Sequence, residues 1–204
     1  MNIKCVLLLS VVVFYSCSAV NKVSPVDYVK WVEDENNGLK RTKEIGDYIF
    51  ELQYQPLEYM ALREVKDINN VTSAEMDSVK NQLSGLDYYK LKIKSVNDAS
   101  NPLSTGLGSN DKYYYRLEYF ANEVKNDLSL VNGNDTILCA LHHFEYNHNI
   151  VPYHTILIGF ENNAEQKIES RTFIYNDKIL GTGAVKFIFD KNDLENIPGL
   201  SLKN

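Results

Sequence analysis

The sequence is short of cysteine, has no excess of positive charge and holds a single long apolar run; each shortage removes a class of explanation. Its three cysteines are Cys5, Cys17 and Cys139, with no Cys-x-x-Cys pair among them. Cys139 stands alone in the body of the chain, so no intramolecular disulfide is expected there. Lys and Arg number 21 against 27 Asp and Glu, a net charge of −6 with histidines neutral. That balance argues against nucleic acid or anionic lipid headgroups as primary partners. The chain has no internal repeat, no low-complexity tract and no second long apolar segment. Familiar catalytic signatures are missing too: no Gly-x-Ser-x-Gly elbow and no His-Glu-x-x-His. Thr105-Gly106-Leu107-Gly108 and Gly181-Thr182-Gly183 lack the Gly-Lys-Ser/Thr ending of a phosphate loop and read as turns. The acidic pairs Asp34-Glu35 and Asp190/Asp193 lie beside expected helix ends, and nothing places two carboxylates in one cleft.

What is present begins at the N-terminus. Lys4 precedes an apolar run from Val6 to Phe14, and Tyr15-Ser16-Cys17-Ser18 follows at once. The run is too short to span a bilayer, which takes about 20 residues. A basic start, a short apolar run and small residues at a cleavage point are what secretory signals share. With Ser16 before Cys17 and Ser18 after it, the segment resembles the lipobox of bacterial lipoproteins, although Phe14 and Tyr15 stand where an aliphatic and a small residue are usual. The resemblance implies cleavage before Cys17 and acylation of Cys17 with several chains, palmitate among them, which anchors stably where one chain would be marginal. Ser18 rather than Asp implies sorting to an outer membrane, and the lack of an acidic cluster in Ala19 to Ser24 implies a periplasm-facing protein. Ordinary signal cleavage after Ala19 and an uncleaved anchor remain alternatives.

On the lipoprotein reading, residues 1–16 are a signal, 17–24 a lipidated tether and 25–204 a single globular domain. Of the 204 residues, 188 remain after the first 16 are removed, and the loss of Lys4 takes the charge from −6 to −7. A domain of that size buries roughly 70% of its unfolded surface and needs no staple.

The patterning predicts an α+β fold, with a mainly antiparallel sheet packed against helices from the middle of the chain. Ser24-Pro25-Val26-Asp27 starts a helix whose apolar side is Val26, Val29 and Trp31, and Asn36-Asn37-Gly38 ends it. Residues 39–44 and 48–54 form a hairpin about Ile45-Gly46-Asp47. Leu57, Met60, Ala61 and Val65 fall at helical spacing, and Thr72-Ser73-Ala74-Glu75 is a capping box for a helix closing at Gly85. A strand over 86–96 and a patternless loop over 97–110 precede a helix from Asp111 through Leu128. Residues 136–146 and 153–161 are apolar on both faces and form the central hairpin, covered on both sides. Strands at 171–175 and 184–189, a helical turn and a loose tail complete the chain.

Two residue groups stand out. All four histidines, His142, His143, His148 and His154, fall within thirteen residues. If Tyr146 pairs with Tyr153, then His143, Glu145 and His154 share a face, and two imidazoles with a carboxylate suit a divalent metal with an open position. In the same register Cys139 and Leu141 lie further in, and Cys139, mid-strand in an apolar setting, is a poor nucleophile. The second group is Tyr115, Arg116 and Tyr119 on the tyrosine-rich helix, a candidate stacking platform for a glycan or peptide, although aromatics at this spacing are usually core. The functional expectation is a non-enzymatic envelope lipoprotein, tethered to the membrane, that binds a protein or envelope-polymer partner without a cofactor. The alternative is a metal-binding or metal-dependent hydrolase built on the His142–His154 cluster.

Overall fold

The chain enters its fold through a short strand, β1 (Lys22–Val23), and a capped helix. Ser24 accepts a hydrogen bond from the Asp27 amide at 3.2 Å and Pro25 fills the first turn, so α1 runs over Pro25–Glu33. Tyr28 and Val32, one helical turn apart, are its buried pair. The structure is a computed structural model and describes residues 21–97, 101–108, 110–147, 150–162 and 169–203. The lipobox-like segment with Cys17, and His148, lie outside the described residues.

β2 (Lys40–Ile45) and β3 (Tyr48–Gln55) form the expected first hairpin. α2 (Leu57–Glu64) follows Pro56, and α3 (Ser73–Leu83) starts where the Thr72 hydroxyl accepts from the Glu75 amide. After β4 (Leu86–Ser95), α4 covers Asn110–Glu118. It then widens into a π-helical turn at Tyr119–Glu123, tightens into a 3-10 turn at Val124–Asp127, and gives way to β5 (Leu128–Asn132). The helical stretch expected through Leu128 thus keeps α geometry only to Glu118 and continues as π and 3-10 turns to Asp127, and a strand was hidden behind it. β6 (Asp135–Glu145), β7 (Tyr153–Glu161), β8 (Arg171–Asn176), β9 (Ala184–Phe189), α5 (Lys191–Glu195) and β10 (Gly199–Leu200) complete the order.

Eight strands form one antiparallel sheet in the order β2-β3-β4-β7-β6-β5-β8-β9, with the β6–β7 hairpin at its middle. The fold is α+β, as the patterning predicts. The sheet curls into a nearly closed barrel around aromatic rings. Tyr89 of β4 lies 5.3 Å from Tyr54, 5.7 Å from Phe160, 5.8 Å from Phe173 and 5.7 Å from Phe189, centroid to centroid. The helical segment after α4 enters the same space, with Phe120 stacked on Phe144 at 5.8 Å.

The two edge strands, β2 and β9, are not paired with each other. Side chains close the seam instead. Arg41 donates from Nε to the Ile188 carbonyl at 3.2 Å, meets Asp193 at 2.7 Å and sits 5.5 Å over the Phe189 ring. Lys43 lies 5.8 Å over Phe187. Arg41 and Lys43 pair with Leu52 and Phe50, so they point to the inner face. Inward basic residues on an edge strand also keep it from pairing with other chains. Gly38 makes room for this latch: its φ is +77°, and a Cβ there would come within 2.7 Å of the Asp193 carboxylate oxygens.

One ion pair is enclosed in the barrel. Arg171 meets Asp87 at 2.9 Å with both side chains under a tenth exposed, and Asn162 donates to the same carboxylate at 3.0 Å. Burial raises the Asp87 carboxyl above its ordinary value against the opposing pull of Arg171. Outside the barrel, α1 and α3 tie down β3 and β4, with Gln53 donating to the Val32 carbonyl at 3.1 Å and Tyr88 to that of Leu83 at 2.9 Å.

The expected two-sided cover of the central hairpin holds for β7 but not for β6. Burial alternates along β6, and Leu138 is 72% exposed on its outer face. The tail is not loose either, because β10 pairs in parallel with β1, and Lys22 and Val23 thereby belong to the fold and not to a tether.

Removing one member of the enclosed pair strands the other. Asp87→Ala is expected to cost about 3–5 kcal/mol in urea unfolding, whereas Asp87→Leu combined with Arg171→Met stays within about 2 kcal/mol of the parent. Equal losses in the single and double variants would contradict the account of this pair.

Candidate functional site

The strand register decides the fate of the histidine cluster. Cys139 pairs with Phe160, as the expected register requires, but Leu141 pairs with Gly159, so Ala140 is an extra residue bulged out of β6. Beyond it every pairing is displaced by one: His143 faces Leu157, Phe144 faces Ile156 and Glu145 faces Thr155. A one-residue slip exchanges the two faces. His143 and Glu145 therefore point outward, while His154 joins Phe144 on the inner face, and the expected shared face of His143, Glu145 and His154 does not form. His142, on the face opposite to His143, turns in, with Nε2 3.0 Å from the Ala121 carbonyl. Among the described residues no three His, Cys, Asp or Glu side chains gather in a way that would hold a metal.

His154 is 2% exposed, with Nε2 2.9 Å from Asn101 Oδ1 and its ring 5.4 Å from that of Phe144. Burial pushes its imidazole down to about 4. Cys139 is half-buried, and burial pushes its thiol up to about 11, as suits a packing residue.

The tyrosine platform also comes apart. Tyr115 is 60% exposed, but Arg116 and Tyr119 are buried. Arg116 Nη1 donates to the Thr105 carbonyl at 2.8 Å, to the Pro102 and Leu103 carbonyls at 3.3 Å and to the Tyr48 hydroxyl at 3.1 Å. It fastens the loop to the barrel from a buried position. Tyr119 donates to Asp127 at 2.7 Å inside the core. The glycine loop at 181–183 is a turn, held by Asp177, which accepts from the Thr182 amide at 2.7 Å.

The concave site lies elsewhere. A groove of about 410 Å³ opens between the three N-terminal helices and the C-terminal strand, within the usual range for ligand sites. Tyr28, Met76, Pro198 and Leu200 supply its apolar lining, and Glu58, Asp77 and Lys80 its charges. Helix spacing builds one wall: Met76, Asp77 and Lys80 lie within about one turn of α3. β10 builds the other, fixed in place by its pairing with β1.

Two features give this groove chemistry. The Tyr28 side chain is 1% exposed, and its hydroxyl has no hydrogen-bond partner among the described residues. A buried hydroxyl without a partner is costly, and here it lies beneath the groove lining. Burial first, then the negative charge of Glu58, push this phenol well above its usual range, so it stays protonated. Glu58 and Lys80 form an ion pair at 2.8 Å, each about a third exposed, while exposed Asp77 has no ion-pair partner among the described residues. Two carboxylates against one ammonium leave the site net negative.

The sequence held a faint signal of this site in Tyr28 and Val32 at i, i+4, whereas the expected apolar side was Val26, Val29 and Trp31. Nothing local announced that the last residues would return to wall it. No protein-family model, no curated protein and no solved structure matches the chain.

The buried imidazole fixes a pH response. His154 is neutral in the fold, while an unfolded histidine titrates near 6.5. The unfolded chain thus binds the extra proton between about pH 6.5 and 4. Stability is full above that window and falls by about 1.4 kcal/mol per unit on acidification within it, roughly 3 kcal/mol in all. Urea unfolding between pH 7.5 and 5 is expected to show this slope in the parent and to lose it in His154→Phe; parallel curves for the two would contradict the assignment.

Proposed function

We propose that this protein is a lipid-anchored, non-enzymatic binding module of the cell envelope that holds a protein partner in the groove beside Tyr28. The observation that carries the reading is the groove itself: a cleft of mixed apolar and polar lining between the helices and β10, with charges at its rim. Its position supports the anchoring as well. β1, which holds the groove wall β10, starts at Lys22, five residues after Cys17. Five residues reach at most about 18 Å, so acylation at Cys17 would keep the groove close to the membrane surface. A partner displayed in the same envelope is then met at high effective concentration. In the sequence the anchor reading rests on the lipobox-like Ser16-Cys17-Ser18.

The test uses the full chain in its own cells. A photo-crosslinking amino acid at Ile197, on the groove wall, is expected to give a discrete protein adduct in the membrane fraction. The same probe at Lys186, on the outer face of β9, should give none. Cys17→Ser should move the protein out of the membrane fraction. Identical adducts from both probes, or none from Ile197, would contradict the groove as the partner site; unchanged membrane fractionation of Cys17→Ser would contradict the anchor.

A further inference from the structure

We propose that the groove takes an extended peptide, added as a strand along β10, with an aliphatic side chain on the groove floor and a lysine or arginine at its mouth. This rests on the groove being the partner site, and names what kind of partner enters it.

The backbone of β10 is the first argument. Gly199 donates its amide to the Asn21 carbonyl at 3.0 Å, and Ser201 donates to that of Val23 at 2.9 Å. In a parallel ladder alternate residues turn to the same neighbour, so the N–H and C=O of Leu200, between them, face away from β1. Farther along the chain, Lys203 makes an isolated parallel bridge to Thr72, the residue that caps α3. β10 and α3 thus converge at Lys203 and Thr72, and between Gly199 and Leu202 the groove separates them. An extended chain seated there meets the open amide and carbonyl of Leu200, the geometry of strand addition.

Charge and shape set the side chains. Met76, Leu200 and Leu202 make an aliphatic lining, with the Tyr28 ring beneath them. At the rim Lys80 is already paired with Glu58, which leaves the exposed Asp77 carboxylate with no ion-pair partner among the described residues. A cationic side chain fits it, and the net charge of −6 attracts basic partners from a distance. Since successive side chains of a strand point to opposite faces, the aliphatic and basic residues are neighbours in the peptide.

The experiment presents a randomised library of acetylated, amidated hexapeptides to the full chain in phospholipid nanodiscs. Retained peptides are expected to carry Lys or Arg next to an aliphatic residue. N-methylation of amides along the core of a selected peptide is expected to weaken binding about tenfold, the loss of roughly one good hydrogen bond. Asp77→Lys should turn selection toward acidic residues, and Leu202→Trp, a larger side chain on the partly buried groove wall, should abolish retention while the thermal melt stays cooperative. Selection without a basic residue, no retention at all, or N-methylated peptides that bind as well as their parents would overturn the peptide class. Peptides of another class that are retained by the parent and lost in a folded Leu202→Trp would overturn the peptide class and leave the groove as the partner site. Retention unaffected by Leu202→Trp would remove the groove and this inference with it.

Discussion

The ring of Tyr89 is the point on which the structure turns. It is fully buried, and it meets rings from β3, β7, β8 and β9, strands that lie on both sides of β4 in the sheet and beyond its middle. Backbone pairing alone would leave an open, twisted sheet, because β2 and β9 share no ladder. Burial of these aromatic faces curls the sheet until the edges meet, and each buried ring contributes on the order of 2–3 kcal/mol toward that closure. Arg41 and Lys43 then cover the remaining slot with charge on the outside and aliphatic stem within.

That packing determines where a groove can form. The barrel is filled by its own side chains and by the turn carrying Phe120, so concave surface is made outside it, where helices meet a returning chain end. The groove depends on elements of two residues each, β1 and β10, whose pairing joins the start of the domain to its end. Such short strands have little stability of their own, and they persist because α1 and the C-terminal residues pack around them.

The sequence was most legible where one residue type has one use. Ser24-Pro25 and Thr72 to Glu75 marked helix starts that the structure repeats, and residues 48–54 marked a strand that the structure repeats as β3. Legibility failed where a single residue changed a phase. Ala140 carries no turn signal, yet its bulge exchanges the faces of all that follows in β6 and dissolves the expected grouping of His143, Glu145 and His154. The apolar spacing of Val124 and Leu128 imitated a helix that in fact ends in π and 3-10 turns, although Asn132-Gly133 was a hairpin signal that implied a strand on either side. Arg116 looked like a ligand-binding cation because its partners, three backbone carbonyls, have no signature in sequence. The groove was hidden for the same reason, since it is made by residues from four separate elements.

The account is tested most directly by hydrogen exchange at the amide of Leu200, followed in the full chain with and without a bound basic hexapeptide. Strand addition predicts that this amide exchanges at least about tenfold more slowly in the complex, while those of Gly199 and Ser201, already bonded to β1, change little. An unchanged Leu200 amide, with new protection appearing instead at the 101–108 loop or the outer face of β6, would contradict it.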